Sequence, residues 1–218
     1  MIFYESKIKI KNDMKNYIPN FAYIVRTRLK GKNFVYEFYC KGKKTLDLGC
    51  GEGEFLKHDK ENMFGVDPNA RVIARLKKEG FKVEEGSATA LPYRDSEFEV
   101  VHCHNVIEHM DIDTALTMLK ESARVLSSGG HLVLSSEVVT KKFWETFGHV
   151  KPYPPQSVVK LLRADSREEF EGVFDLESAG LFYIGDYFKN KILYLLSFCL
   201  GYFTPLFRRE YFLILRKK

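Results

Sequence analysis

Three glycines at alternate positions, Gly49, Gly51 and Gly53, follow an acid, Asp47, within the stretch TLDLGCGEGEF from Thr45 to Phe55. A side chain at any of them would hold the main chain away from a ligand lying across the strand end, whereas glycine permits close approach and positive φ. A helix expected over 52–60 would aim free amide hydrogens and the positive end of its dipole at the bound group, which suits a carboxylate or a phosphate. The spacing is G-x-G-x-G, where the dinucleotide fingerprint wants G-x-G-x-x-G. A second acid, Asp67, ends the next apolar run, Met63 to Val66, where it can accept hydrogen bonds from ribose hydroxyls.

The chain downstream separates these readings. It continues GSATALPYRDSEFEVVHCHNVIEHM from Gly86 and later RVLSSGGHLVLSS. From about Lys43 to Ser136 the chain resembles the class I S-adenosylmethionine (SAM) dependent methyltransferases, the type 11 or UbiE-like group. The shared motifs, in order, are LDLGCGxG, G-D-A-x-x-L-P-(F/Y), F-D-x-V, (V/L)-x-E-H and L-x-P-G-G. The resemblance implies a Rossmann-like, doubly wound, seven-stranded and mostly parallel sheet with the last strand antiparallel. It implies SAM as cofactor and S-adenosylhomocysteine as product.

By the same resemblance, Gly49, Cys50, Gly51 and Gly53 cradle the methionyl end of SAM and Asp47 reaches toward its amino group. Asp67 takes the ribose hydroxyls, and Pro68 with Asn69 borders the adenine. A purely structural Asp67 would instead cap the helix that follows. Ser87 stands where the family usually carries an acid for the adenine amino group, and a hydroxyl can still accept that bond. The backbone of Ala88 takes the remaining adenine contacts, with Leu91 and Pro92 as a wall. Ser128 replaces the usual proline before Gly129-Gly130, which only loosens a turn.

Asn105 and Val106 line the cofactor near its sulfonium in this reading, with Glu108 and His109 just beyond. Methyl transfer needs alignment of nucleophile, carbon and sulfur, and a base only where the acceptor carries a proton. His109 and His149 are the candidate bases, because an ordinary imidazole titrates near neutrality. Either could instead satisfy a backbone carbonyl. Tyr153 is a candidate for shaping the acceptor pocket. His102 and His104 share one strand face around Cys103, but no metal is expected there. Some quinone-pathway relatives carry further acids around the E-H pair; Asn105 occupies that place here, so the resemblance implies no metal.

The elements that must position these residues alternate between strand and helix after Lys43, the pattern of an α/β domain with a parallel sheet covered on both faces. Strands are expected at 43–48, 62–66, 81–85, 98–103, 131–136, 181–188 and 210–216. Helices are expected at 52–60, 69–79 and 111–126, the last with Leu116, Leu119, Ala123 and Leu126 on one stripe. A short helix is marked by Pro155 and Ser157, and a second by the S-R-E-E capping box at Ser166, closed by Gly180. The 218 residues suffice for one such domain (45–218), preceded by a basic helical arm (1–44).

Net charge is +5, and before Thr45 eleven Lys or Arg face three Asp or Glu. Such an arm could meet an anionic substrate, a nucleic acid or an acidic membrane, but its apolar residues at near-helical spacing favour a solvated helix packed on the domain. Four widely spaced cysteines and no apparent signal segment point to a reducing cytosol. The apolar run Ile192–Phe207, within an insertion at 189–209, is short for a membrane span. It can act as a lid, as a peripheral membrane contact, as a dimer contact or as core.

The reading is a SAM-dependent methyltransferase acting on a small-molecule or hydrophobic, lipid-like acceptor, at oxygen in the first instance. An RNA or protein methyltransferase is the nearest rival, disfavoured because H-N-V-I stands where an N-P-P-Y-like tetrapeptide would. A non-catalytic SAM-binding protein and a dinucleotide-dependent dehydrogenase are the remaining alternatives. The acceptor and the oligomeric state are not legible in these residues.

Overall fold

The computed structural model describes residues 34–162, 173–183 and 208–218. Seven strands form one sheet in the order β3-β2-β1-β4-β5-β7-β6. They are β1 (Thr45–Leu48), β2 (Met63–Asp67), β3 (Lys82–Glu85), β4 (Phe98–His104), β5 (Leu126–Glu137), β6 (Phe174–Tyr183) and β7 (Arg208–Lys217). All run parallel except β7, which pairs antiparallel with both β5 and β6. The expected doubly wound sheet is thus present, with its last strand inserted between the fifth and sixth.

Alternation along the strands sorts the core onto two faces. Leu46, Leu48, Val101, Cys103, Leu132, Leu134, Leu213 and Leu215 face one side. Two helices cover them: α2 (Ile112–Val125) and α4 (Pro155–Leu162), through Ala115, Met118, Leu119, Val158 and Leu162. Val100, Val133, Phe212 and Ile214 face the other side, with Ile73 and Leu76 of α1 (Ala70–Lys78) in the same cluster. Each such side chain fully withdrawn from water contributes about 1.5–3 kcal/mol before entropy is counted. Asn69 caps α1 through its side-chain Oδ1, which accepts from the amides of Arg71 and Val72, and Asp111 caps α2 by accepting from the amide of Thr114.

Of the basic arm, only its end lies within the described residues. There a π-helical turn, Tyr36–Cys40, follows Phe34 and Val35, and Phe34 is buried with its ring centroid 5.8 Å from that of Phe212. The apolar side of this stretch therefore closes one face of the sheet. The capping box at Ser166 and the apolar run Ile192–Phe207 lie outside the described residues.

Three expected elements differ. No helix fills 52–60: a 3-10 turn, Leu56–His58, is all the regular structure between β1 and β2. The left-handed Gly53 ends one turn and Asp59 opens the next by accepting from the amides of Glu61 and Asn62, leaving too few residues between them for an α-helix. The sixth strand begins at Phe174, not at 181, so Gly180 is paired with Phe212 inside it. The fifth begins at Leu126, and Ser127–Gly130 form an irregularity within it, opposite Glu99.

Candidate functional site

The carboxyl ends of β1, β2, β3, β4 and β5 share one edge, and the ligand-type residues gather there. Immediately after β1 the chain turns through Gly49, Gly51 and Gly53, all left-handed, with φ of 73°, 45° and 78°. The amides of Gly49 and Cys50 both donate to the Val66 carbonyl, at 2.8 and 3.1 Å, tying the turn to β2. A Cβ on Gly49 would lie 2.6 Å from Val106 Cγ2, and one on Gly53 would lie 2.7 Å from Leu76 Cδ2. Around Gly51 nothing lies within 4 Å of that position. The outer two glycines are therefore demanded by packing, and the middle one faces open space.

Asp67, at the end of β2, organises this turn. Its Oδ2 accepts from the Gly51 amide at 3.0 Å, and its Oδ1 accepts from the Asn69 amide at 2.9 Å. Each carboxylate oxygen keeps a further lone pair, and the residue is half-buried beside the exposed Pro68 and Asn69. The helix cap itself is Asn69, so capping is not the role of Asp67. Because no α-helix follows the glycines, anion binding by a helix dipole does not operate here. The cradle rests on main-chain approach and on Asp67.

Asp47 and Cys50 are buried. Asp47 Oδ1 meets His102 Nδ1 at 2.7 Å across the β1–β4 pairing, and Phe55 stacks on the His102 ring with centroids 3.8 Å apart. Asp47 therefore has a protein partner, which the sequence did not disclose. His104 Nδ1 pairs with Ser135 Oγ at 2.6 Å. Loss of hydration and then the neighbouring His102 hold its ring below the usual imidazole range. His102 and His104 are thus absorbed into two separate cross-strand pairs.

Ser87 follows β3, its hydroxyl accepting from the Thr89 amide at 3.2 Å, with Ala88 partly buried behind it. The wall formed by Leu91 and Pro92 is held by α2 residues that the sequence did not single out. Glu121 Oε2 accepts from the Leu91 amide at 2.8 Å, and Arg124 Nη1 and Nη2 donate to the carbonyls of Tyr93 and Leu91 at 2.8 and 3.1 Å. Arg124 also grips Glu121 through two bonds of 2.7 and 2.8 Å. In sequence, Glu121 and Arg124 look like any surface pair at helical spacing.

The bidentate Arg124 holds the Glu121 carboxyl below its ordinary value, with the amide of Leu91 adding to the effect. A depressed carboxylate stabilises the fold above its unfolded pKa and loses that contribution as pH falls through the folded value. Glu121→Gln is accordingly expected to cost about 1 kcal/mol at neutral pH. In urea titrations the gap from the parent should close as pH falls below the ordinary carboxylate range and through the depressed value of the folded protein. A gap independent of pH would deny the charge its part.

After β4, Asn105 adopts a left-handed φ of 53° and its Oδ1 is buried without a hydrogen-bond partner among the described residues. Val106 packs against Gly49. Next comes a 3-10 turn, Ile107–His109. Glu108 is fully buried: its Oε2 accepts from Ser136 Oγ at 3.0 Å, its Oε1 has no partner among the described residues, and burial pushes its carboxyl above the usual range. The Glu108 carbonyl accepts from the amides of Val150 and Lys151, at 2.8 and 3.3 Å, which brings His149 to the same place.

His109 and His149 lie with ring centroids 5.0 Å apart. His109 Nδ1 lies 2.9 Å from the Gly148 carbonyl and His149 Nδ1 2.9 Å from the Phe143 carbonyl. A carbonyl oxygen only accepts, so in each neutral ring the proton sits on Nδ1 and the lone pair on Nε2. Both candidate bases thus satisfy a carbonyl through Nδ1. Tyr153 packs against the core below them, its hydroxyl donating to the Met110 carbonyl at 3.0 Å.

A parallel doubly wound sheet with a glycine turn after β1 and an acid after β2 defines a nucleoside-binding α/β protein, its ligand at the carboxyl edge of the strands. The open space at Gly51, the spare lone pairs of Asp67 and the orphaned Asn105 oxygen fit an adenosyl amino acid. Residues 46–134 match the family model described as a methyltransferase domain. Over that stretch the chain carries a methyltransferase domain of the SAM-dependent family, whose cofactor is SAM.

An uncharacterized protein of Methanocaldococcus jannaschii is 28% identical over 168 residues, covering 73% of this chain and 68% of its own length. The ubiquinone biosynthesis O-methyltransferase of Aliivibrio fischeri is 30% identical over 105 residues, 44% of either protein. The chain thus spans less than half of that curated relative. Among solved structures, a SAM-dependent methyltransferase from Archaeoglobus fulgidus superposes with a TM-score of 0.61 at 21% identity, covering 91% of this chain and all of that one. A putative methyltransferase from Bacillus halodurans gives 0.60 at 20% identity, covering 86% of this chain and 97% of its own. At these identities the structural likeness speaks for the fold.

Proposed function

We propose that this protein transfers the methyl group of SAM to an oxygen of a small, hydrophobic acceptor. The observation that carries the reading is the pair of rings of His109 and His149, centroids 5.0 Å apart, each tied to a carbonyl through Nδ1 and so with Nε2 left to meet an acceptor, just beyond β4 at the strand edge that holds the glycine turn. Such a pair receives the proton of an acceptor hydroxyl as its oxygen is alkylated. Bound SAM supplies an electrophilic methyl group. Gly49, Gly51, Gly53, Asp67 and Asn105 would hold it in this reading, with Pro68, Ser87 and Ala88 beside them. Cys50 is buried, its thiol pushed up to about 12 by burial, and so packs instead of reacting.

Two further observations support the acceptor class. Relatives at low identity include O-methyltransferases, that of ubiquinone biosynthesis and a 27-O-demethylrifamycin SV methyltransferase of Amycolatopsis mediterranei. The segment after β5 carries exposed Val139, Trp144, Phe147 and Val150 around α3 (Lys141–Glu145), an apolar rim next to the histidines. The rim suits a lipid-like acceptor and peripheral contact with a membrane surface. Among the described residues no helix is long and apolar enough to cross a membrane.

The test is methyl transfer from isotope-labelled SAM to a panel of apolar phenols and hydroxylated lipids, with peptide and RNA as comparison acceptors. His109→Ala and His149→Ala are each expected to lower turnover roughly 100-fold while SAM affinity changes little. Methylation of peptide or RNA in place of the apolar panel would overturn the acceptor class. SAM binding without transfer to any class would mark a non-catalytic binding protein.

A further inference from the structure

The Glu108–His109–His149 cluster holds more than a base. One Glu108 oxygen and one ring nitrogen of each histidine lie within 4.8 Å of one another. We propose that these three side chains form a binding site for a divalent transition-metal ion of the zinc type. The buried Oε1 of Glu108, without a partner in a fully buried side chain, is an acceptor that needs a cation or a donor and has none among the described residues. Each histidine is oriented by an Nδ1–H bond to a carbonyl, which fixes the tautomer of the neutral ring and leaves the Nε2 lone pair for a ligand, the arrangement by which metal-bound imidazoles are held. Ser136 does the same for the carboxylate by occupying Oε2.

Two imidazoles and one carboxylate favour zinc, cobalt or ferrous iron over magnesium or calcium, which take oxygen ligands. Three protein ligands leave a coordination position open, as at catalytic zinc sites. That position belongs to an oxygen-bearing ligand. In so far as the inference rests on the methyl-transfer reading, a bound ion would hold the acceptor oxygen and favour loss of its proton to solvent, so that His109 and His149 would serve as ligands when the ion is bound and as proton acceptors only in the ion-free protein. The sequence gives little sign of this site, because His149 is far along the chain from Glu108 and joins it only through the amides of Val150 and Lys151.

Calorimetric titration of chelator-stripped full-length protein with zinc, and absorption of the cobalt-substituted protein, test the proposal without any turnover. One zinc per chain is expected with a dissociation constant below about 1 μM, alongside a tetrahedral or five-coordinate cobalt spectrum. Magnesium should not compete. His109→Ala and His149→Ala should each weaken zinc binding roughly 100-fold, and His58→Ala, on a distant turn, should leave it unchanged. If Glu108→Gln fails to fold, the two histidine variants decide. Absence of stoichiometric binding, or binding that survives both histidine variants, overturns the site. SAM titrated into the same samples separates the two readings: zinc bound without SAM sinks the methyltransferase reading alone, and SAM bound without zinc sinks the metal site alone.

Discussion

Asp67→Ala is expected to weaken binding of SAM and S-adenosylhomocysteine roughly 100-fold, because the two charge-assisted bonds to ribose proposed for it would be lost together with the anchor of the Gly51 amide. The two contributions can be told apart by calorimetry. An S-adenosylhomocysteine analogue lacking both ribose hydroxyls removes the same contacts from the ligand side, so a double-mutant cycle isolates the coupling. If Asp67 holds the ribose, the variant and the parent should bind that analogue nearly alike. An equal loss for both ligands would assign Asp67 to positioning Gly51 and Asn69 only. Unchanged affinity for SAM itself would refute any part in cofactor binding.

The second large effect contrasts two glycines of one turn. Gly49→Ala places a Cβ 2.6 Å from Val106 Cγ2 at a φ of 73°, so backbone strain adds to a clash with a packed side chain. Stability should fall by about 2–4 kcal/mol, with SAM binding lost. Gly51→Ala meets nothing within 4 Å, so only the strain of a left-handed φ of 45° remains and its stability should fall by about 1–2 kcal/mol, less than for Gly49→Ala. Its new methyl group occupies the open space of the cradle, and SAM affinity should still drop by a factor of 10 or more. A Gly51→Ala protein that binds SAM normally would show that the ligand does not approach the main chain there.

Most of the sheet could be read from residues because its strands are buried on both faces and written in continuous apolar runs, as in FEVVHCH and HLVLSS. The antiparallel last strand is implied by the family resemblance and not by any local signal, and the order of the strands is legible only in the structure. The helix expected after the glycines failed because propensity over Glu52–Lys60 was outweighed by a left-handed Gly53 and a turn-forming Asp59. The early start of β6 was missed because Gly180 was taken for a helix end, whereas pairing with β7 supplies its hydrogen bonds from elsewhere in the chain. In the site, acids and glycines fixed to strand ends were legible. The Asp47–His102 pair, the hold of Arg124 on the adenine-side loop and the approach of His149 to Glu108 were not, since each depends on a contact between distant segments that no local spacing encodes.

The place of β7 bears on how the molecule is made. It fills the gap between β5 and β6, pairing His131 with Arg216 on one side and Phe174 with Lys217 on the other, although it stands last among the described strands. Its Lys217 ammonium also closes the end of α2 by donating to the carbonyls of Ala123 and Leu126, at 2.7 and 2.6 Å. During synthesis the glycine turn, Asp67 and Glu108 emerge long before this strand, while the flank of β5 stays unpaired and β6 has nothing to join. A nascent chain therefore carries all its ligand-contacting groups on an unfinished sheet with an open hydrogen-bonding edge. Assembly waits on pairings of high sequence separation, the slow and aggregation-exposed kind, which makes the ribosome-bound intermediate a natural client for chaperones.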